Sequence, residues 1–336
     1  MVNKISFNKP SNATAWNKLC ALNSNLLQTT FYDEIQSFYK QTPVYFEYFE
    51  NANLIAGVKL YNWKSVKAKF ILPKITNTYT QFGEFIIAPD FFTEELIAKI
   101  NEDIKLFLKK QLAVSFKSKN FYGNPNLIYN TKSSCISSSE YDIAYINTTL
   151  SEDELMSNLH SKHRNVLKKA YKSNLIFEET TDIQILISTL KETYANQTHD
   201  APNFDYINKL HAILSKNKLS KIFLVRDSDT ILSVAFVQSF GEIADYTFGG
   251  NKRNSLGAGQ FLQWNIIKYL KSNNIKKYSL GQIAKEKDLD NLKFTEGITK
   301  FKIRFGCFRQ EGCTYVYIYK PMYNKVFNLM KKYFLK

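Results

Sequence analysis

Long apolar runs are missing from this 336-residue chain. No stretch approaches the ~18–20 consecutive apolar residues that cross a bilayer as a helix. The opening Met1-Val-Asn-Lys-Ile-Ser lacks the apolar centre of a secretory leader, so a cytoplasmic protein without a transmembrane segment is expected. Cysteine is scarce as well. Cys20, Cys135, Cys307 and Cys313 are scattered and form no Cys-x-x-Cys pair, which argues against a structural zinc site and a disulfide framework. The thiols are expected to be reduced and packed as small hydrophobes. There are only four histidines. His160-x-x-His163 stands beside Lys162 and Arg164, with no cysteine or carboxylate at ligand spacing, and no metal site is expected there. A Gly-x-Ser-x-Gly elbow is also absent, which disfavours a serine hydrolase.

What is abundant is aromatic core material, 26 Phe and 21 Tyr, so disorder is unexpected over most of the length. The length fits one large domain or two ordinary ones. The net charge is +15 and unevenly spread: residues 251–336 carry 18 Lys and Arg against 5 Asp and Glu. Such a surface suits phosphates, RNA or an anionic membrane; the alternative is a solvated basic face with no dedicated ligand.

Apolar periodicity predicts a helix over 13–27, a second short helix ending near Tyr39, and a hairpin of strands Val44–Glu50 and Leu54–Trp63. A strand over Ala68–Leu72, a helix over Thr93–Lys110 with Thr93 as cap, and strands over Gln111–Phe116 and Tyr141–Ile146 follow. The segment between Lys117 and Glu140 reads as a long loop with a surface or lid role. Ser151 caps one helix running through Ala170, and Leu175 begins a strand. Helices near 183–195 and 204–216, three strands within 220–250, a helix at 258–273 and a strand at 276–281 come next. A short helix near 287–295, strands at 298–305 and 313–320, and a terminal helix from Pro321 complete the pattern. Both halves run from helices into a hairpin, then a helix and further strands. The expected architecture is therefore a duplicated α/β fold of mixed, largely antiparallel sheets flanked by helices, with domains 1–178 and 179–336. The terminal helix has a stripe of Tyr323, Phe327, Met330 and Phe334, with Lys325, Lys331, Lys332 and Lys336 elsewhere. It either docks on its own domain or makes peripheral contact with a membrane surface.

Two segments carry chemistry. Thr247-Phe-Gly249-Gly250-Asn-Lys252-Arg253 ends a strand, and Asn254-x-x-Gly257-x-Gly259 opens the next helix. Glycines at a helix start let backbone N–H groups converge on an anion such as a pyrophosphate, and Lys252 and Arg253 could complement it. A tight turn without a ligand is the plainer alternative. The third glycine of a dinucleotide fingerprint and the Gly-Lys-Ser/Thr of a P-loop are missing. In the second segment, Phe301, Ile303 and Phe305 alternate with Lys302 and Arg304. Read as a strand, the alternation puts both cations on one face, either in water or facing a cleft, where they could stabilise an oxyanion.

These residues resemble a known family. Gly297-Ile-Thr-Lys-Phe301-Lys302-Ile-Arg304-Phe305-Gly306 is similar to the closing motif of the FemABX peptidyltransferases. Arg164-Asn-Val-Leu-Lys168-Lys-Ala170 with Leu175-Ile-Phe is similar to their central helix and strand. Gln28-Thr-Thr-Phe31-Tyr32 and Ala56-Gly57 look like their N-terminal signature. The resemblance spans most of residues 12–330, and the Phe-Lys-x-x-Phe-Gly motif, shared with related chains of the wider GNAT acyltransferase superfamily, is its most specific part. It implies two tandem GNAT-like domains, the first on the acceptor side. It also implies transfer of an aminoacyl group from charged tRNA to an amine of a peptidoglycan precursor, at the inner face of the membrane. Phe301 and Lys302 would stand at the catalytic centre, with Tyr246 lining the cleft. Tyr32, Gln36, Arg164 and Arg304 would contact substrate. Two departures matter. Gln36 replaces a lysine that the family often has, which weakens a nucleotide-linked acceptor. Asn254-x-x-Gly257-x-Gly259 is closer to an acyl-CoA turn than most members are. An acyl-CoA-dependent N-acyltransferase acting on an amino sugar or envelope precursor is therefore the second reading, and a non-enzymatic RNA-binding protein the third. No tightly bound cofactor is expected; acyl-CoA or aminoacyl-tRNA would be the donor substrate.

Overall fold

The computed structural model describes residues 2–63, 77–131, 137–195, 200–252, 256–285 and 296–334. The expected strand over Ala68–Leu72, the expected helix at 287–295, and the site candidates Arg253 and Asn254 lie outside the described residues.

The chain divides into two compact units, Met1–Tyr141 with Glu311–Lys336, and Asp142–Gln310. The first unit holds β1 (Val2–Phe7), α1 (Ala13–Leu22), α2 (Phe31–Gln36), β2 (Gln41–Glu50), β3 (Asn53–Trp63), β4 (Thr78–Phe82), a two-residue β5 (Ile86–Ile87), α3 (Glu94–Lys110) and β6 (Ser115–Lys119). Strand β7 (Ser137–Asn147) leads into the second unit. There follow α4 (Glu152–Asn158), α5 (Ser161–Ala170), β8 (Leu175–Thr180), α6 (Ile183–Ala195), α7 (Phe204–Lys216), β9 (Ser220–Asp227), β10 (Thr230–Phe240), β11 (Ile243–Asn251), α8 (Ala258–Ser272), β12 (Lys277–Ile283) and α9 (Glu296–Ile303). Strand β13 (Phe308–Ile318) returns to the first unit, which ends with α10 (Pro321–Phe334).

The two units repeat one topology. The strand order in the first unit is β1-β2-β3-β4-β6-β13 and in the second β8-β9-β10-β11-β12-β7. Within each unit the neighbours in this order are antiparallel except β4–β6 and β11–β12, which are parallel and joined through α3 and α8. The compact units divide the chain at 141/142 and 310/311, whereas the expected boundary lay near residue 178. Residues 142–147 of β7 pair with β12, and residues 314–318 of β13 pair with β6. Each unit thus takes its sixth strand from the other half of the sequence, a non-local pairing that local periodicity cannot register.

Each unit has its own core. On α3, Leu96, Ile100, Ile104, Phe107 and Leu108 follow helical spacing and are buried with Phe46, Tyr79 and Phe116 of the first unit's strands. Thr93 caps that helix by accepting the Leu96 N–H at 3.2 Å. In the second unit, Phe261, Leu262, Trp264, Ile266, Ile267 and Leu270 of α8 pack with Phe223, Val225, Ala235 and Val237. Burying such side chains stabilises by about 1.5–3 kcal/mol each.

Three local expectations also change. The helix from Ser151 is two helices, because Leu159 and His160 are extended (ψ 138° and 143°). The expected strand Gln111–Phe116 starts only at Ser115, since Leu112 turns left-handed at φ 54°. The expected loop between Lys117 and Glu140 holds the end of β6 and the start of β7. The most consequential change concerns the lysine segment. Of the residues expected as a strand at 298–305, those up to Ile303 belong to α9 and the rest to the turn after it, so Lys302 and Arg304 do not share a strand face.

Candidate active site

The parallel pair β11–β12 is short. Its register covers only Ile243↔Lys277, Ala244↔Tyr278 and Asp245↔Ser279, although β11 continues to Asn251 and β12 to Ile283. Both strands carry a bulge at this parting. Thr247 is the extra residue in β11 against β10, and Leu280 the extra residue in β12 against β7. A bulge bends its strand and ends regular pairing, which is how a cleft opens inside a sheet. The corresponding pair in the first unit, β4–β6, stays in register over five residues, and the Gly83 N–H then bonds Lys119 O at 2.9 Å.

Helix α8 begins between the parting strands. Its N-cap residue is Gly257, left-handed at φ 76°, which offers no side-chain cap, and its first turn has no acidic residue. The positive end of the helix dipole is therefore not neutralised by its own first turn. Helix α3, at the same place in the first unit, carries Thr93 as cap with Glu94 and Glu95. A methyl on Gly257 would overlap Val166 Cγ1 of α5, so glycine is required there for space as well as for conformation. A Cβ on Gly259 would stand 2.8 Å from Asn251 Oδ1. Asn251, Lys252, Gly257, Gly259, Gln260 and Phe301 line a cavity of 240 Å³ at this helix end. Lys252 is held by Glu192 at 3.1 Å.

Helix α9 delivers Lys302. Phe301 on α9 and Phe305 in the turn just after it both pack edge-on against the His163 ring, with centroids at 5.4 and 4.6 Å. His163 Nε2 donates to Phe301 O at 3.0 Å. Burial lowers the His163 imidazole to about 4, so the ring is neutral with its proton on Nε2. The His160 N–H donates to Arg304 O at 2.9 Å. Gly306 ends the segment at φ 74°, and a Cβ there would be 2.8 Å from the Asn158 backbone carbon. With the aromatics anchored, Lys302 points the other way. Its Nζ donates to Gln282 O at 3.0 Å and lies 3.6 Å from where Gly281, at φ 80°, would carry a Cβ. Burial pulls the Lys302 ammonium down to about 8.

The structure thus gathers Lys252, Gly257, Gly259 and Phe301 around one cavity and sets Lys302 against the stretch of β12 that has parted from β11. Tyr246 lies on the parted stretch of β11, its hydroxyl packed on Gly249 and pushed up to about 12 by burial. The other candidates are placed differently. Arg164 is engaged by backbone, its Nη1 donating to Ser157 O at 3.0 Å and to Leu159 O, where it ties the end of α4. Arg304 is half-buried on the last turn before Gly306. Tyr32 and Gln36 belong to the first unit and are each only 6% exposed.

Beside them the sequence reading missed a buried polar knot. Lys59, fully buried, pairs with Asp33 at 2.7 Å and donates to Thr29 O at 2.5 Å. The Tyr61 hydroxyl donates to Asp33 at 2.9 Å, and the Tyr45 hydroxyl bonds the same carboxylate. Gln28 braces this strand, accepting the Lys59 N–H at 2.6 Å and donating to Phe82 O at 2.8 Å. The signal was a lone lysine inside the apolar run 54–63. The resemblance at Gln28 and Ala56-Gly57 thereby acquires a structural basis: Trp16 packs on Gly57 and its indole N–H donates to Gln28 O at 2.7 Å.

No family profile and no curated protein sequence matches the chain. Solved structures do. FemX is similar over 97% of this chain and 100% of its own, with a TM-score of 0.75 at 13% identity. L-PGS from Bacillus licheniformis is similar over 97% and 96%, with a TM-score of 0.54 at 8% identity. A tandem GNAT protein from the clavulanic acid biosynthesis pathway is similar over 94% and 98%, with a TM-score of 0.54 at 7% identity. The fold is therefore one shared with FemX and with a tandem GNAT protein. Among the described residues, no helix is long and apolar enough to cross a membrane.

Proposed function

We propose that this chain is an acyltransferase whose donor site is the parting of β11 and β12, and that it transfers an aminoacyl group from charged tRNA to an amine of a cell-envelope precursor. The observation that carries the reading is Lys302, a cation lowered by burial and fixed against Gln282 O beside the parted strands. The acceptor amine attacks the donor carbonyl directly. A C–N bond forms, the carbonyl electron pair moves onto oxygen, and a fixed ammonium stabilises that charge. Collapse breaks the ester C–O bond, and the ribose hydroxyl leaves. No covalent enzyme intermediate is needed, because the donor ester is already activated. The full-length similarity to FemX and the basic C-terminal third support tRNA as donor.

The second reading, an acyl-CoA donor, is favoured by one feature: the cavity at Gly257, Gly259 and Lys252, where a pyrophosphate would meet the start of α8. The acceptor under either reading is an amine on an envelope precursor, handled at the inner membrane face. Exposed Met322 and Leu329 with Lys325 on α10 suit peripheral contact with lipid there. Supplying purified protein in parallel with aminoacyl-tRNA and with acetyl-CoA separates the readings, since only the true donor passes label to an amine acceptor. Label passing from neither would refute both.

A further inference from the structure

We propose that Asp245 is the proton acceptor for the attacking amine, aimed by Ser279 from the point where β11 and β12 separate. This rests on the acyl-transfer reading above. Asp245 and Ser279 form the last register pair of the parallel strands, so the Asp245 carboxylate stands at the closed end of the parting. The Ser279 hydroxyl accepts the Gly281 N–H at 3.1 Å, which leaves its own O–H to donate to Asp245. Gly281 is the residue over which Lys302 lies. Asp245 on β11 is thus bonded to Ser279 of β12, and Lys302 lies over Gly281 two residues further along that strand. A nitrogen needs the carboxylate while a developing oxyanion needs the ammonium.

The surroundings suit a base. Tyr278 of β12 is the titratable neighbour coupled to Asp245, and it is neutral, its hydroxyl donating to Gln263 Oε1 of α8 at 2.8 Å. Tyr246 follows on the same strand, coupled to Tyr194 of α6. Gln238 of β10 stands opposite and donates to Thr247 Oγ1 at 2.5 Å. Among the described residues, no charged side chain contributes to the shift of Asp245. Crowding alone pushes its carboxyl up to about 6, against a smaller pull from Ser279. It is therefore ionised at neutral pH yet basic enough to take a proton.

The step balances. As the amine nitrogen bonds to the donor carbonyl carbon, its proton passes to Asp245. As the ester or thioester bond breaks, Asp245 returns that proton to the leaving oxygen or sulfur.

The test is the pH dependence of kcat, with donor affinity, for wild type, Asp245→Asn, Asp245→Glu and Ser279→Ala. Wild-type kcat should climb with pH and level off above about 6. Asp245→Asn should lose about 10²–10⁴-fold in kcat, together with the acid limb, at unchanged donor affinity. Asp245→Glu should recover part of the rate. Ser279→Ala should move the acid limb to higher pH, and it provides the reading if Asp245→Asn does not fold. Wild-type transfer from neither donor refutes the acyl-transfer reading and this assignment with it. Wild-type transfer that Asp245→Asn leaves at full rate, or with its acid limb intact, overturns the assignment alone.

Discussion

Lys302 reaches Gln282 rather than a carboxylate: its ammonium is 3.0 Å from the Gln282 carbonyl oxygen, over a glycine that leaves it room. Among the described residues that carbonyl is its hydrogen-bond partner, and an ammonium has two more N–H groups to offer an incoming oxygen. Lys302→Met should therefore lower kcat by about 10²-fold or more, the usual cost of losing an oxyanion donor. The melting temperature should hardly move, because the fold loses a single hydrogen bond. Steady-state kinetics and a melting curve on one preparation check both halves.

The same lysine sets an alkaline limb. Its ammonium holds a proton only up to about 8, so activity should fall as pH rises through that value. Lys302→Arg keeps its charge at every working pH. Part of the rate should survive in it, and the alkaline limb should vanish. A limb unmoved in Lys302→Arg would assign it to another group.

His163 should make the second unit acid-sensitive. Its folded value, about 4, lies below the ordinary 6.5, so between them the unfolded chain binds the proton and the native chain does not. The stability it contributes is complete above 6.5 and is lost as pH falls toward 4, on the order of 2 kcal/mol. Denaturant titrations at pH 7 and pH 4.5 should differ more for wild type than for His163→Phe, which keeps the aromatic packing on Phe301 and Phe305 but cannot titrate.

Glu84 should act in the opposite sense in the first unit. Its Oε1 accepts the N–H groups of Tyr122 at 2.7 Å and Phe121 at 3.2 Å, while Oε2 is buried with no hydrogen-bond partner among the described residues. Burial raises the carboxyl to about 7. Between 4.5 and 7 the native state holds a proton that the unfolded state releases, so this group costs stability as pH rises through that window. Glu84→Gln keeps an acceptor for both N–H groups and never ionises. It should melt higher than wild type at pH 8.5, by about 1–3 kcal/mol of stability, and show little difference at pH 4.5.

Part of the local structure around the candidate site was legible in the sequence. Gly257 and Gly259 marked the start of α8 because a left-handed residue and a close approach both need glycine. Thr93 and Ser151 marked their helices because their side chains cap them. The Phe301–Gly306 segment was located but given the wrong period. Phe-Lys-Ile-Arg-Phe satisfies strand alternation, and its aromatics at i and i+4 satisfy a helix equally well. Docking on His163 decides between them, and that contact spans 138 residues of sequence. Arg164 and Tyr32 shared their motifs with real structural features, a helix end and a buried core, which sequence spacing cannot tell from substrate contacts. Gly257→Val, an obvious probe of the turn, would test space against Val166 rather than ligand binding.

The most direct test of the account is transfer itself. Purified wild type and Lys302→Met would each be given bulk tRNA charged with radiolabelled amino acids, and a peptidoglycan-precursor peptide with a free amine. The account predicts label in amide linkage to the peptide with wild type and none above background with Lys302→Met. Equal label with both proteins would contradict the site assigned to the parting of β11 and β12. No label with wild type, from charged tRNA or from acetyl-CoA supplied in its place, would contradict acyl transfer.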